Sequence, residues 1–301
     1  MTIATISDIH TDFYIPAKLT GYKLDNAMDE FIKNELWLKT ADVLVFAGDN
    51  SHYPKHNKLM LEKIAAKKIY KKIFVTFGNH DLYLISNQQR SKYKTSWDKI
   101  LELKQICEEI DTVEFLDGNI VEVDGVKFGG TGGWYDMSYS KQLFNMNHFN
   151  CMHKWKNVMN DANLIVGNDY PPEINDSREA MYGGYKYKAY TFDPMKFFKQ
   201  EEEKILAIVE ECDVFISHVG PLVPPNLPVH FQNVETGFYY FNGEWILNKD
   251  KAPKLWIFGH THDKYLWKHN NTVLVCNPLG YKSENKNNEV EVLDLDNLPE
   301  Y

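Results

Sequence analysis

Phe77-Gly78-Asn79-His80-Asp81, placed directly after the apolar run Ile73-Phe74-Val75, is the stretch whose reading decides the fold. The apolar run is short and β-rich, which predicts a buried strand over 73–77. The strand ends, the chain turns at a glycine, and three polar groups of different chemistry are presented together. An amide oxygen can bind a hard metal ion, and an imidazole can pass a proton. A carboxylate can hold that imidazole in one orientation. Five letters alone are a weak signal. The weight comes from recurrence: the same layout, apolar strand then polar tip, returns along the chain with complementary residues.

Upstream, Thr2-Ile3-Ala4-Thr5-Ile6 is a short β-rich run that ends in Ser7-Asp8-Ile9-His10. Residues two apart in an extended segment point to the same side, so Asp8 and His10 can reach one point in space. Asp42-Val43-Leu44-Val45-Phe46-Ala47 is an apolar strand ending at Gly48-Asp49-Asn50. Apolar residues recur at helical spacing over 24–38 (Leu24, Ala27, Met28, Phe31, Ile32, Leu36) and over 58–70 (Leu61, Ile64, Ala65, Ile69). Strand, helix, strand, helix, strand predicts a mostly parallel sheet covered on both faces.

Downstream, the pattern predicts a helix over 96–110, strands at 113–115 and 120–123, and a tight turn at Asp124-Gly125 into a strand over 126–129. A charged helix covers 195–211, and the strand at 213–216 ends at Ser217-His218. The loop over 221–228 is proline-rich and irregular. The strand at 255–258 ends at Gly259-His260-Thr261-His262. The tail, with strands at 265–268, 272–276 and 290–295 and a turn at Asn270-Asn271, reads as antiparallel β.

Between these, about 130–194 is different: rich in aromatics and asparagine, dotted with glycine, and poor in periodicity. Helical pieces are expected near 141–147 and 155–164. We expect a single domain over 1–301 with this stretch as an insertion or cap. Its aromatics either pack a satellite core or line a substrate pocket and stack on a ring.

A chain of 301 residues can bury a large core, and 44% hydrophobic with 25% charged residues is ordinary for a globular protein. The net charge of −9 disfavours broad nucleic-acid binding, which rests on Lys and Arg. It leaves room for a small phosphorylated substrate, because bound metal ions can reverse the local field. Cys107, Cys151, Cys212 and Cys276 are scattered, with no CxxC pair, and read as reduced thiols in a cytoplasmic protein. No secretory signal and no run near the ~20 residues of a membrane helix is visible.

Five strand ends thus carry polar tips: Asp8/His10, Asp49, Asn79/His80/Asp81, His218 and His260/His262. Ligands bind beyond the carboxyl ends of strands in such sheets. Buried carboxylates and imidazoles need compensation, which a metal centre supplies. Oxygen and nitrogen donors without thiolate suit manganese first, with iron or zinc as alternatives, and their number suits two ions. Two divalent ions about 3.5–4 Å apart are a standard device for displacement at phosphorus.

The layout resembles the calcineurin-like metallophosphoesterase superfamily, whose signature runs DxH, GD, GNH[DE], a lone His, then GHxH. Here it reads Asp8-Ile9-His10, Gly48-Asp49, Gly78-Asn79-His80-Asp81, His218 and Gly259-His260-Thr261-His262. The resemblance implies an α/β fold of two facing mixed β-sheets flanked by helices, a four-layer α-β-β-α sandwich with the aromatic-rich insertion. It implies that Asp8, His10 and His262 hold one metal, that Asn79, His218 and His260 hold the other, and that Asp49 bridges both. A hydroxide shared by the metals would attack phosphorus. His80 would protonate the leaving oxygen or stabilise the transition state, with Asp81 orienting its ring.

The protein Ser/Thr phosphatases of this superfamily carry GDxxDRG, and here Gly48-Asp49-Asn50-Ser51-His52-Tyr53-Pro54 has no arginine. The segment starting Gly48 is superficially like the GDLFH of nucleases in the superfamily, through His52. Lys67-Lys68 and Lys71-Lys72 read as a solvated helix face rather than a nucleic-acid groove. Gly130-Thr131-Gly132-Gly133-Trp134-Tyr135-Asp136 and Cys276-Asn277-Pro278-Leu279-Gly280-Tyr281 look like segments of uncharacterised bacterial metallophosphoesterases, which commonly have arginine in place of Leu279. The reading is a dinuclear-metal-dependent hydrolase of a phosphomonoester or phosphodiester, acting on a small, nucleotide-like substrate. The alternatives are a nuclease of the same superfamily and a metal-binding scaffold without catalysis.

Overall fold

The computed structural model describes residues 1–167, 177–182, 185–190, 192–284 and 289–299. The opening run forms β1 (Thr2–Ile6), and the apolar runs after it form β2 (Val43–Ala47), β3 (Lys72–Thr76) and β4 (Val113–Phe115). These four lie parallel, with Ile3 opposite Val43, Val43 opposite Lys72 and Ile73 opposite Val113. Parallel neighbours need long crossovers, and helices Gly21–Phe31, Pro54–Ala66 and Ser96–Glu108 provide them.

The second sheet begins with the hairpin β5 (Asn119–Val123) and β6 (Val126–Gly130), turned at Asp124-Gly125, where both residues have positive φ. A separate hairpin follows, β7 (Ser177–Tyr182) with β8 (Tyr185–Tyr190). The sheet resumes with β9 (Val214–Ile216), β10 (Leu255–Phe258), β11 (Tyr265–His269) and β12 (Thr272–Cys276), in the order β11-β12-β10-β9-β6-β5. Its four inner strands are parallel and its two edge strands antiparallel.

Period-2 alternation builds the layers. Ile3, Val43, Val45, Ala47 and Phe74 share one buried cluster with Phe128, Val214, Ile216, Leu255 and Ile257, which is the core between the sheets. There Phe74 and Phe128 stack with ring centroids 4.6 Å apart. The alternate residues Ala4, Ile6, Leu44 and Phe46 pack outward with Met28, Met60, Leu61 and Leu103 of the helices. On the far side Phe215, Trp256 and Leu274 belong with Phe197 and Ile205 of helix Pro194–Ile208. Each such fully buried side chain contributes about 1.5–3 kcal/mol of transfer free energy. The result is the helix, sheet, sheet, helix sandwich.

Several expectations change. The last strand, β13 (Glu291–Asp294), does not join the antiparallel tail; it pairs antiparallel with β1, with Thr2 opposite Asp294, and covers the open edge of the first sheet. Asn277 Nδ2 ties that crossing down by donating to Thr5 O and Glu289 O, both at 2.9 Å. The expected helix over 155–164 is two, His148–Val158 and Asp161–Leu164, and the one near 141–147 is Ser138–Phe144. The helix expected over 58–70 starts four residues earlier, at Pro54, whose fixed φ suits a first helical position. It ends at Ala66, so Lys67 and Lys68 lie in the turn. Lys71 and Lys72 are paired with Asp42, Asp124 and Glu114. No helix among the described residues is long and apolar enough to cross a membrane.

Candidate metal centre

The ends of β1, β2, β3, β9 and β10 converge, and backbone hydrogen bonds hold the tips in register. Asp8 N donates to Gly48 O at 3.0 Å, His10 N to Asp49 O at 3.0 Å, Gly259 N to His218 O at 2.9 Å and Gly280 N to Asp8 O at 3.0 Å. Asp8, His10, Asp49, His260 and His262 all take positive φ, between 44° and 74°. A non-glycine residue enters that region at a cost of about 1–3 kcal/mol and stays only where its surroundings over-determine it. Here the strained turns aim the side chains inward.

Every residue expected at the site is brought to it. His10 Nε2 and His262 Nε2 face each other at 3.0 Å, and His262 Nε2 lies 3.6 Å from Asp8 Oδ1. His218 Nε2 lies 3.2 Å from Asn79 Oδ1. Asp49 stands between these groups, with Oδ2 at 3.3 Å from His218 Nε2 and 3.7 Å from His10 Nε2, while Oδ1 accepts from His80 N at 2.8 Å. His260 N donates to both oxygens of Asp8, and its ring centroid lies 5.0 Å from that of His218. Gly78 and Gly259 permit the crowding: a Cβ on Gly78 would meet Asp49 Oδ1 at 2.2 Å, and one on Gly259 would meet Asp8 Oδ2 at 2.6 Å.

The donor set fits metal ions. A carbonyl or carboxylate only accepts, so a ring nitrogen facing one carries the proton. His218 Nδ1 faces Ala47 O at 2.9 Å, His260 Nε2 faces Phe238 O at 3.1 Å, and His262 Nδ1 faces the Glu284 carboxylate at 3.0 Å. In a neutral ring that leaves His218 Nε2, His260 Nδ1 and His262 Nε2 as the nitrogens able to accept, the arrangement seen behind metal-bound histidines. His10 with His262 and Asn79 with His218 thus bring ligand atoms to 3.0 and 3.2 Å of one another, and Asp8, His10 and His262 together offer ligand atoms close enough to hold one ion.

Electrostatics agree. Burial lowers His10 to about 3, against the pull of Asp49, and burial with His218 beside it lowers His260 to about 3, so both rings are neutral at pH 7. Burial alone would lower His218, but the Asp49 carboxylate overrides it and raises it to about 9. The same pairing draws Asp49 well below the usual carboxylate range despite its burial.

Asp81 does not orient His80. Its carboxylate accepts from the backbone N–H groups of Gly78 and Asp49, each at 2.9 Å, and of Asn50 and Ser51, each at 3.3 Å. It pins the β2 and β3 tips together, and burial with the nearby Asp49 charge raises it to about 6. The carboxylate behind His80 is Asp12, acting through His52: His80 Nδ1 lies 3.0 Å from His52 Nε2, and His52 Nδ1 lies 2.6 Å from Asp12 Oδ2. Asp12 sits in the turn just after His10, and His52 three residues after Asp49. The other side of the His80 ring faces Tyr281, whose hydroxyl is 3.3 Å from Nε2. Leu279 is 6% exposed and packs into the core, not toward the site.

Fold and centre together define a hydrolase that uses metal ions on phosphoester bonds. The chain belongs to the calcineurin-like phosphoesterases, whose family model matches residues 1–264. It is similar to an uncharacterized protein of Acanthamoeba polyphaga mimivirus, 25% identical over 304 residues, with 97% of this chain and 96% of that one covered. Its fold is similar to that of the phosphopantetheinyl hydrolase from Mycobacterium tuberculosis, with a TM-score of 0.70, 15% identity, and 99% and 98% of the two chains covered.

Proposed function

We propose that this protein hydrolyses a small, nucleotide-like phosphoester with two divalent cations, manganese first among them, in a cytoplasmic setting. The observation that carries the reading is the convergence of candidate ligand atoms, His10 with His262 and Asn79 with His218, around the Asp49 carboxylate. Asp8, His10 and His262 would hold one cation, Asn79, His218 and His260 the other, and Asp49 both. Two such ions lower the pKa of bound water and neutralise charge developing at phosphorus. Four buried, unpaired cysteines suit a reducing compartment.

The chain's own groups do the rest. With Asp12 accepting from His52 Nδ1, a His52 ring carrying one proton offers Nε2 as an acceptor, so His80 holds a proton at Nδ1 and turns Nε2 to the site. Burial pushes His80 well below its ordinary range, against the Asp49 charge. A second proton therefore stays at Nε2 only when more negative charge is near, and a phosphoester anion brings it. That proton is then placed for the leaving oxygen.

Phe13, 48% exposed, and Tyr281 form an aromatic wall at the mouth, with ring centroids 4.5 Å apart, and Tyr281 also lies over His10 and His262. A planar base or ring can stack there. An extended nucleic acid finds no such support: Lys71 and Lys72 are already paired with carboxylates. We read the whole chain as one domain and 130–194 as an insertion on it.

The test is hydrolysis of p-nitrophenyl phosphate and bis-p-nitrophenyl phosphate by metal-stripped protein with Mn²⁺ restored, beside Asp49→Asn. Diester turnover that Asp49→Asn abolishes makes it a phosphodiesterase; monoester turnover alone makes it a phosphatase. Phosphopantetheinyl esters, named for the mycobacterial enzyme of similar fold, form a third arm. No turnover with two Mn²⁺ bound, or full turnover in Asp49→Asn, sinks the reading.

A further inference from the structure

Asn79 Nδ2 donates to two groups, Asp161 Oδ1 at 2.9 Å and the Tyr83 hydroxyl at 2.8 Å. The Tyr83 hydroxyl itself donates to the same Asp161 oxygen. Tyr135 donates to Asp161 Oδ2 at 2.5 Å, and Trp155 Nε1 donates to the Tyr135 hydroxyl at 2.5 Å. Asp161, Tyr135 and Trp155 are at most 1% exposed. Burial holds both tyrosines well above their ordinary range, so both keep the proton they donate.

The network has a single sense. An indole N–H only donates, so Tyr135 accepts from Trp155 and must spend its own proton on Asp161. Tyr83 accepts from Asn79 and does the same. Both N–H groups of the Asn79 amide are thereby taken, and its oxygen is turned to His218 Nε2, 3.2 Å away. Rotating the amide by half a turn would set its oxygen against the Asp161 carboxylate and present N–H groups to the centre instead, where no cation can be held. None of the family motifs contains Asp161. It lies 82 residues beyond Asn79, at the start of the short helix Asp161–Leu164.

We propose that Asp161, with Tyr83, is a positioning residue that fixes the Asn79 amide with its oxygen toward the second cation, so that part of the aromatic-rich segment completes the metal centre. The proposal rests on the two-cation reading above. Asp161 touches no reacting atom; it acts through Asn79. Groups standing behind a ligand in this way typically set metal affinity by about 10–100-fold.

The experiment uses the full chain, stripped with a chelator and dialysed against fixed free Mn²⁺. Bound manganese is counted by mass spectrometry, and spin coupling between paired ions is read by electron paramagnetic resonance. Wild type binds two coupled ions. Asp161→Asn, nearly isosteric but with an N–H group in place of one of the two acceptor oxygens, is expected to bind one ion normally and the second about 10–100-fold more weakly, with the coupled signal replaced by that of an isolated ion. Tyr83→Phe, which keeps the packed ring, should weaken the same ion by a smaller factor. Tyr135→Phe removes a bond to Asp161 but none to Asn79, and should leave both ions in place. Two ions at wild-type affinity in Asp161→Asn, equal weakening of both, or a Tyr135→Phe loss as large as that of Tyr83→Phe overturns the proposal. If Asp161→Asn does not fold, Tyr83→Phe decides by the same readout. A wild-type chain that binds fewer than two ions instead fails the two-cation reading.

Discussion

His52→Ala separates a proton-delivery role from a packing role. The ring is 5% exposed, and its Nε2 stands 3.0 Å from His80 Nδ1. Truncation leaves a buried N–H of His80 without an acceptor, a deficit of about 1–3 kcal/mol. It also frees the ring to adopt the other tautomer, and it cuts His80 off from the Asp12 carboxylate. If that loss falls mainly on the transition state in which Nε2 gives up its proton, kcat drops by about 10–100-fold. The size depends on the leaving group. Phenyl and alkyl phosphoesters expel a basic oxygen that needs the proton, so they bear the full loss. p-Nitrophenolate leaves without help, and its ester should lose less than about threefold by the same reasoning. The assay is steady-state hydrolysis of a series of aryl and alkyl esters with Mn²⁺ content verified; the expected result is a steeper dependence of kcat on leaving-group pKa, with KM little changed. His52→Gln, whose amide oxygen can accept from His80 Nδ1, should recover part of the loss. An equal decrease across the series would refute the reasoning and reduce His52 to packing.

Gly78→Ala isolates the close approach at the centre, because a φ of −117° suits any residue and only contact is changed. Its Cβ would stand 2.2 Å from Asp49 Oδ1 and 2.7 Å from His218 Nε2, so both groups must retreat, and a displacement near 1 Å costs about 10²-fold in kcat/KM. Near-normal activity in that variant would place the carboxylate elsewhere. Chelation should destabilise the fold: with each ion at 100 times its Kd, loss of one site removes about 2.7 kcal/mol. At roughly 2 °C per kcal/mol for a chain of this size, the unfolding temperature should fall by about 5 °C per site. Scanning calorimetry that shows no shift on adding a chelator would speak against ions at this site.

Most of the sandwich was legible because its inner strands are buried on both faces and so read as continuous apolar runs, each punctuated by a polar tip. Asp8, His10, Asn79 and the rest could be found because each follows such a run at a fixed offset. What stayed hidden depends on contacts between distant parts of the chain. Nothing in Glu291–Asp294 says that it will pair with β1 rather than with its neighbours in sequence. Asp81 looks like the partner of His80 because it is adjacent, yet adjacency at a turn directs the two side chains apart, and its oxygens go to backbone N–H groups. His52 gave a signal that could have been used, since it lies in the 48–54 segment already singled out, and Asp12 follows the His10 tip by two residues. Glu284 and Asp161 gave none, because a single carboxylate far from any motif is indistinguishable from a solvated one until the fold buries it.

The strained turns and the buried charges have one explanation between them. Five candidate ligands hold positive φ, and two carboxylates and several imidazoles sit buried against one another. Taken singly, each feature destabilises the chain and could be relieved by a small change: a glycine at the turn, an apolar side chain in the core, an amide in place of one imidazole. Relief of that kind would enlarge stability and remove the convergence of donors. That so many of them gather in one place is what a fold looks like when the missing stabilisation arrives with bound cations. The chelation and Asp161→Asn experiments probe that balance from opposite sides, one by removing the ions and the other by turning a single donor away from them.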